Sequence, residues 1–201
     1  MAEALSVPVD TAARLARNAA RQARIELPPE GLPSTAKALR SQLRSYLLQC
    51  FDADAILDPP DAILKKLRGY ASGGAHVITV ADSDGQPKNF RRDRALAHFT
   101  RADGAWFDFG FTLLERRGAP VEVVAYDAEL RFVRDDDSPV PPWVRFDLNP
   151  PGHDNDGRAL RSHLHPATDD WEVPAPTLSP VELLDLLVFG CCVAPGRAPR
   201  A

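Results

Sequence analysis

Three of the five histidines lie close together in the last third of the chain. His153, His163 and His165 fall within thirteen residues of one another, and Asp147 precedes them. Histidine titrates near neutral pH and a carboxylate can orient its ring, so these residue types can carry general acid–base chemistry. A His163-x-His165 pair completed by Asp147 or His153 can equally bind a metal ion. The sequence leaves both chemistries open and identifies no cofactor.

Two short segments of alternating polarity would position these residues. Residues 143–148 and 162–165 alternate between apolar and polar side chains, which predicts two β-strands. Since successive side chains of a strand point to opposite faces, the first strand would present Arg145 and Asp147 together, and the second would present its two histidines together. Arg145 could then hold a phosphate or carboxylate group beside them. The residues predicted to act in catalysis are Asp147, His163, His165, Arg145 and His153.

The first third of the chain has a helical pattern. Residues 10–25, 34–51 and 61–70 are predicted helices, because apolar residues recur in them at intervals of three and four or because they lack Pro and Gly. Ser34 is the expected N-cap of the second helix. Cys50 lies on the apolar stripe of that helix, so we expect a buried hydrophobic residue and not a nucleophile. The two glycines that follow the third pattern close this helical part.

From residue 75 the pattern changes to the two-residue period of strands. Asp127, Glu129 and Arg131 would lie one strand beyond the Arg145 strand, on its polar side, and Ser179 with Pro180 would begin a closing helix. These elements predict an α+β fold: an antiparallel β-meander with the N-terminal helices and the C-terminal helix packed on one face. The predicted strands cover residues 76–81, 106–113, 124–132, 143–148 and 162–165, with a turn at 82–85.

Domain organisation has two readings. Residues 1–73 could form a helical N-terminal segment beside an α+β domain at 74–192, followed by a frayed tail at 193–201. The first two parts could instead form a single domain, and this reading is favoured, because 201 residues suit one sizeable core.

Composition excludes several classes of protein. The longest apolar run is nine residues, well short of the ~20 that a membrane helix needs, and the N-terminus lacks the pattern of a secretory signal. Three cysteines without a CxxC motif argue against a zinc knuckle and for reduced thiols. No phosphate-binding glycine loop is present. We therefore expect a soluble cytoplasmic protein that has no membrane partner.

Arginine side chains suggest a nucleic-acid partner in two places. Arg17, Arg21 and Arg24 recur with Arg14 along one face of the first helix, where a solvated surface is the competing explanation. A second cluster around Arg92 is flanked by phenylalanines, a pattern that a salt-bridged surface explains as well.

The C-terminal part contains several motifs in a defined order. They are Tyr126, an Arg145-x-Asp147 strand, a Pro-rich loop ending at His153, the strand Ser162-His163-Leu164-His165, and a helix led by Pro180. This order resembles that of small bacterial toxins of the TumE type and related domains of unknown function, over about 60 of the 201 residues. Gly152 and Ser162 stand where those toxins carry histidines. The resemblance implies a bacterial toxin–antitoxin or phage-defence setting, and a nuclease-like activity is a further expectation within that setting.

Three hypotheses follow. In the first, a toxin-like or defence-associated protein acts on nucleic-acid phosphodiesters through Asp147, His163 and His165, with Arg145 or His153 neutralising charge. In the second, a non-catalytic adaptor or antitoxin-like protein binds nucleic acid or another protein through its basic N-terminal helices. The third is a metal-binding regulatory domain.

Overall fold

The computed structural model describes residues 9–28, 31–81, 92–133, 141–153 and 160–191. The predicted turn at 82–85 and the predicted tail at 193–201 lie outside these ranges. The described helices are α1 (Val9–Gln22), α2 (Ala36–Asp52), α3 (Pro60–Lys66) and α4 (Pro180–Asp185), which continues as a π-helical turn (Leu186–Gly190). The described strands are β1 (Leu67–Ser72), β2 (Ala75–Val80), β3 (Phe99–Thr100), β4 (Trp106–Leu114), β5 (Glu122–Arg131), β6 (Trp143–Leu148), β7 (Ser162–Pro166) and β8 (Val173–Pro174).

The eight strands form one antiparallel sheet. Its order is β1-β2-β4-β5-β6-β7-β8, with the short β3 paired to β4. Each strand of this path therefore pairs with the next along the chain once β3 is set aside, which is a meander. The predicted α+β class, with helices beside an antiparallel sheet, is confirmed. None of the described helices is both long and apolar enough to cross a membrane.

One face of the sheet forms the hydrophobic core. Phe107, Phe109 and Phe111 alternate along β4 on this face and are fully buried. The rings of Phe109 and Phe111 lie 5.3 Å apart, and each such side chain contributes roughly 1.5–3 kcal/mol by leaving water. Leucines of α2 and α4 belong to the same cluster, so the helices and the sheet share one core.

Two helix starts test the predicted caps. At α4 the prediction is confirmed, because Ser179 and Glu182 form a reciprocal capping box and Pro180 is the first helical residue. At α2 the cap is Thr35 and not Ser34, since the Thr35 hydroxyl accepts a hydrogen bond from the N–H of Ala38. Both residue types can cap a helix, so the sequence alone could not choose between two adjacent candidates.

The third predicted helix ends earlier than expected. It stops at Lys66, and Leu67–Ser72 is strand β1 instead of a helix that continues to Tyr70. The cause is the pair Gly73 and Gly74, whose φ angles of 56° and 83° form a tight hairpin turn and do not simply close the helical part. The hairpin pairs β1 with β2 along its whole length. Tertiary pairing thus overrides a local helical pattern.

Candidate functional site

The register of β5, β6 and β7 brings most of the predicted site residues together. Residues opposite one another in antiparallel strands have Cβ atoms about 5 Å apart, so their side chains interact directly. The predicted side-by-side placement is confirmed, whereas the chemical roles stay a prediction. The two rows across the sheet are Asp127–Asp147–His163 and Glu129–Arg145–His165.

The face that carries these rows, called the polar face here, is largely closed to solvent. His163 and His165 are 2% and 3% exposed, and Asp147 is 9% exposed. Glu129 is fully buried. Buried ionisable groups cost several kcal/mol each unless they are paired, so this face needs partners for its charges. The sequence predicted that these residues face away from the core, but not that they are buried.

Asp147, His163 and His165 form a compact group, called the Asp/His cluster below. The Nε2 atoms of the two histidines are 3.0 Å apart. The Oδ2 atom of Asp147 lies 3.3 Å from Nε2 of His165 and 3.8 Å from Nε2 of His163. Within the described residues, this is the group of His, Cys, Asp and Glu side chains whose ligand atoms all lie within 4.8 Å of one another.

Hydrogen bonding fixes the orientation of one ring. Nδ1 of His163 lies 2.7 Å from the carbonyl oxygen of Leu160. A carbonyl can only accept, so Nδ1 carries the proton, and in neutral His163 the Nε2 atom presents its lone pair to the cluster. Burial, followed by the nearby Arg145 guanidinium, lowers the pKa of His165 below its ordinary value. The cluster therefore favours the neutral form of His165.

The hydrogen bonds of the cluster are incomplete. Nδ1 of His165 and Oδ1 of Asp147 are buried and have no hydrogen-bond partner among the described residues. Leaving such atoms unpaired in the interior costs about 1–3 kcal/mol each. A site with this cost is one where a ligand, an ion or a water molecule would gain most by binding.

Arg145 closes the cluster on one side. Its Nε donates to Oδ2 of Asp147 at 2.8 Å, and its Nη1 donates to Oδ1 of Asp169 at 2.5 Å. The guanidinium therefore holds the Asp147 carboxylate in place and contributes a positive charge next to it. Asp169 was not predicted, because it follows β7 in a polar loop that no sequence pattern links to β6.

An open cavity adjoins the cluster on the polar face. It has a volume of about 440 Å³, and Arg145 and Asp147 form part of its wall. Gly110 forms its floor: a Cβ atom there would lie 3.3 Å from Oδ1 of Asp127 and 3.5 Å from Oγ1 of Thr79. Cavities that bind small molecules have volumes of about 300–1,000 Å³. The cavity therefore has the volume of a small-molecule site, and the Asp147 side chain lies at its wall.

His153 does not belong to the Asp/His cluster. It is exposed in the turn after β6, where its N–H donates to the carbonyl of Pro150 at 3.3 Å. Sequence proximity suggested that it could join the other histidines, but the turn directs the chain out of the sheet before residue 153. Its predicted role in catalysis or metal binding gains no support from the geometry.

Arg92 has a structural role that the sequence did not reveal. Its guanidinium donates to both carboxylate oxygens of Glu129, at 2.8 and 3.2 Å, and stacks 3.8 Å above the ring of Trp143. The arginine cluster that suggested a nucleic-acid surface is thus used, at this residue, for a buried ion pair. The sequence shows Arg92 as an arginine without an identifiable partner. Only the fold identifies Glu129 as that partner.

The basic face of α1 is partly occupied by contacts within the protein. Arg24 donates to the main-chain carbonyl of Asp52 at 2.6 Å and lies 3.8 Å from Asp54, while Arg17 stays exposed and Arg21 half-buried. The side chain of Arg14 lies outside the described part of the chain.

No protein-family model matches this chain, and neither does any curated protein or solved structure.

Proposed function

We propose that this protein hydrolyses phosphodiester bonds of nucleic acid at the Asp/His cluster, in a bacterial toxin–antitoxin or phage-defence setting. The carrying observation is the convergence of Nε2 of His163, Nε2 of His165 and Oδ2 of Asp147, together with the position of the Asp147 side chain at the wall of an open cavity. Such a group can activate a water molecule, either by accepting its proton or by binding a metal that lowers its pKa. Both chemistries need the same three side chains.

The proposed step is attack of the activated water oxygen on phosphorus. The bond from phosphorus to the leaving oxygen breaks, and that oxygen takes up a proton. Arg145 lies at the cavity wall beside Asp147 and can stabilise the negative charge that develops on the phosphoryl oxygens. Its attachment to Asp169 fixes its position before the substrate binds.

The surroundings of the cavity favour nucleic acid as the substrate. Tyr70 is 49% exposed and lines the cavity, and it also lines a neighbouring cavity of about 310 Å³ that contains Lys37 and Arg40. Exposed aromatic rings that stack with bases, next to cations that contact the backbone, are typical of sites for single-stranded nucleic acid. A single strand of nucleic acid that stacks on Tyr70 could place its phosphate groups next to the cluster.

The activity is tested with purified full-length protein and labelled single-stranded RNA and DNA. The His163→Ala/His165→Ala variant should lose at least about 100-fold in rate, and its expression should no longer inhibit bacterial growth. His153→Ala is the matched control and should keep full activity. Circular dichroism establishes that each variant is folded, and Asp147→Asn replaces the double variant if that one does not fold. A folded cluster variant that cleaves at the wild-type rate contradicts the proposal.

A binding experiment separates this proposal from the adaptor hypothesis. Lys37→Ala/Arg40→Ala should weaken binding of a single-stranded oligonucleotide and reduce the slope of affinity against salt concentration. Arg17→Ala/Arg21→Ala removes two cations from α1 and should leave cleavage unchanged. If the α1 variant loses binding while the histidine variant behaves like wild type, the adaptor hypothesis is favoured.

A further inference from the structure

We infer that Asp147, His163 and His165 form a binding site for one divalent transition-metal ion of the zinc type. The inference deepens the proposed function and rests on it only for the catalytic consequence, because binding of the metal can be measured without any substrate. Its basis is the position of three ligand atoms, the hydrogen bonds that orient them, and the charges around them.

The three ligand atoms have the separations of ligands that share one metal. They form a triangle with sides of 3.0, 3.3 and 3.8 Å. The centre of the circle through the three corners lies about 2.0 Å from each of them. This distance is the usual length of Zn–N and Zn–O bonds. The side chains would therefore need little rearrangement to bind an ion.

Hydrogen bonds among the three side chains of the Asp/His cluster do not satisfy all of their donor and acceptor atoms. His163 donates through Nδ1 to Leu160, so its Nε2 can only accept in the neutral form. A proton on Nε2 of His165 can be donated to His163 or to Asp147, but not fully to both. Oδ1 of Asp147 still lacks a partner among the described residues. A cation at the centre would contact all three ligand atoms at once.

Around His163 and Asp147, the second layer of contacts resembles that of known metal sites. Metal-binding histidines usually donate their other N–H to a carbonyl or carboxylate, and metal-binding carboxylates are themselves hydrogen-bonded. His163 meets the first condition through the carbonyl of Leu160, at 2.7 Å. Asp147 meets the second through Nε of Arg145, at 2.8 Å. These bonds set the two side chains in place before an ion arrives.

The local charge also favours a cation. The carboxylates of Asp147 and Glu172 and the guanidinium of Arg145 act on His165, and Asp169 is paired with Arg145. Arg92 also lies 3.7 Å from Asp169, so these three carboxylates face two guanidinium groups and exceed them by one negative charge. The excess is negative, so it favours a cation at the centre of the cluster.

The donor set indicates the class of metal. Two imidazoles and one carboxylate suit Zn²⁺, Fe²⁺, Co²⁺ or Mn²⁺, whereas Mg²⁺ and Ca²⁺ prefer oxygen ligands throughout. Three protein ligands are the number found in catalytic zinc sites, where the remaining position holds water. That water has its pKa lowered to about 7, which supplies the hydroxide that phosphodiester hydrolysis requires.

The test is metal binding by tag-free, full-length protein that has been stripped with a chelator. Titration with ZnCl₂, followed by calorimetry and elemental analysis, should give one ion per chain, and CoCl₂ should produce visible absorption bands. His163→Ala/His165→Ala should abolish binding, Asp147→Asn should weaken it at least about 10-fold, and His153→Ala should bind like wild type. Zinc should raise the melting temperature of the wild type but not that of the double variant.

The results separate the metal site from the proposed function. One bound ion that depends on the cluster, without any nuclease activity, supports the metal site and contradicts the proposed function. Undiminished cleavage by chelator-treated protein that contains no metal supports the proposed function and overturns the catalytic role of the metal. Absence of binding by zinc, cobalt, manganese and ferrous ions, or binding that the double variant and Asp147→Asn both retain, overturns the metal site.

Discussion

The polar face holds two groups of ionisable side chains that differ in how their charges are paired. In the first, called the ion-pair network here, Arg131 lies 3.0 Å from Asp108 and 2.8 Å from Glu129, and Arg92 lies 2.8 Å from Glu129. Each guanidinium in it faces a carboxylate. In the second, the Asp/His cluster, two imidazoles and a carboxylate face one another.

The difference shows how similar residues on one sheet face can serve different ends. In the ion-pair network the positive and negative charges are paired. This pairing explains how carboxylates can be buried on this face of the sheet. The Asp/His cluster leaves Oδ1 of Asp147 and Nδ1 of His165 without partners in the described part of the chain and lies next to an open cavity. We therefore expect changes in the network to alter stability, and changes in the cluster to alter activity.

The largest effect should follow from Glu129→Ala. This variant removes the carboxylate that Arg92 and Arg131 both contact, and of these two arginines Arg131 is buried. The free energy of unfolding should fall by about 3–5 kcal/mol, measured by urea denaturation. Glu122→Ala, on the same strand but in the exposed pair with Arg116, should cost less than about 1 kcal/mol. Equal losses for the two variants would mean that the network has no special structural role.

Asp147→Asn should show the opposite behaviour. The amide keeps the shape of the side chain but removes the charge that the cluster needs, while Arg145 keeps its contact with Asp169. Nuclease activity should fall about 100-fold, whereas the free energy of unfolding of the metal-free protein should fall by less than it does for Glu129→Ala, because Arg145 keeps the Asp169 carboxylate as its partner. Urea denaturation and the cleavage assay are run on the same preparation. A large loss of stability would remove the distinction between cluster and network.

A smaller effect is expected from Gly110→Val, which narrows the cavity and leaves both charged groups in place. Its Cβ would lie 3.3 Å from Oδ1 of Asp127, so that side chain must move by a few tenths of an ångström. We expect kcat/KM to fall roughly 10-fold with little change in stability, because the substrate would be displaced. Thr112→Val, which lines the same cavity without adding volume, is the control. Unchanged kcat/KM would show that the substrate does not use this cavity.

The smallest effect concerns the helices on the other side of the sheet. Ser179→Ala removes the cap of α4 and should cost about 1 kcal/mol at pH 7. The N–H and hydroxyl of Ser179 lower the pKa of Glu182 below its ordinary value. The contacts between Ser179 and Glu182 therefore stabilise the folded protein fully at pH values above the ordinary pKa of a glutamate. This stabilisation is lost as the pH falls through the lowered pKa. Urea denaturation at pH 7 and pH 3 measures this difference, which should shrink at pH 3, while cleavage at pH 7 stays unchanged.

Sequence patterns predicted much of the fold for identifiable reasons. The two-residue period of β4 assigned Phe107, Phe109 and Phe111 to one face, because a strand has no other way to direct alternating side chains. The cap and proline at 179–180 located α4, since these residues satisfy helix N-termini locally. The pattern failed at Leu67–Ser72, where pairing with β2 outweighs the local preference for helix.

The candidate site was only partly predictable. Periodicity placed His163 and His165 on one face, but it did not show that His153 turns away into solvent. Arg92 and Asp169 could not be predicted as neighbours of the site, because Arg92 is 37 residues from its partner Glu129 and Asp169 is 24 residues from its partner Arg145 in the chain. Contacts between segments far apart in sequence depend on the path of the chain and not on local composition.

The sequence by itself determined the residue types of the Asp/His cluster and the face on which each lies, because side-chain alternation is a local property of an extended backbone. The tertiary structure decided the rest. The register of β6 against β7 sets Asp147 opposite His163, and a shift by one residue would send the histidines to the hydrophobic core. Burial, the missing hydrogen-bond partners and the adjoining cavity exist only once distant segments have packed around that register.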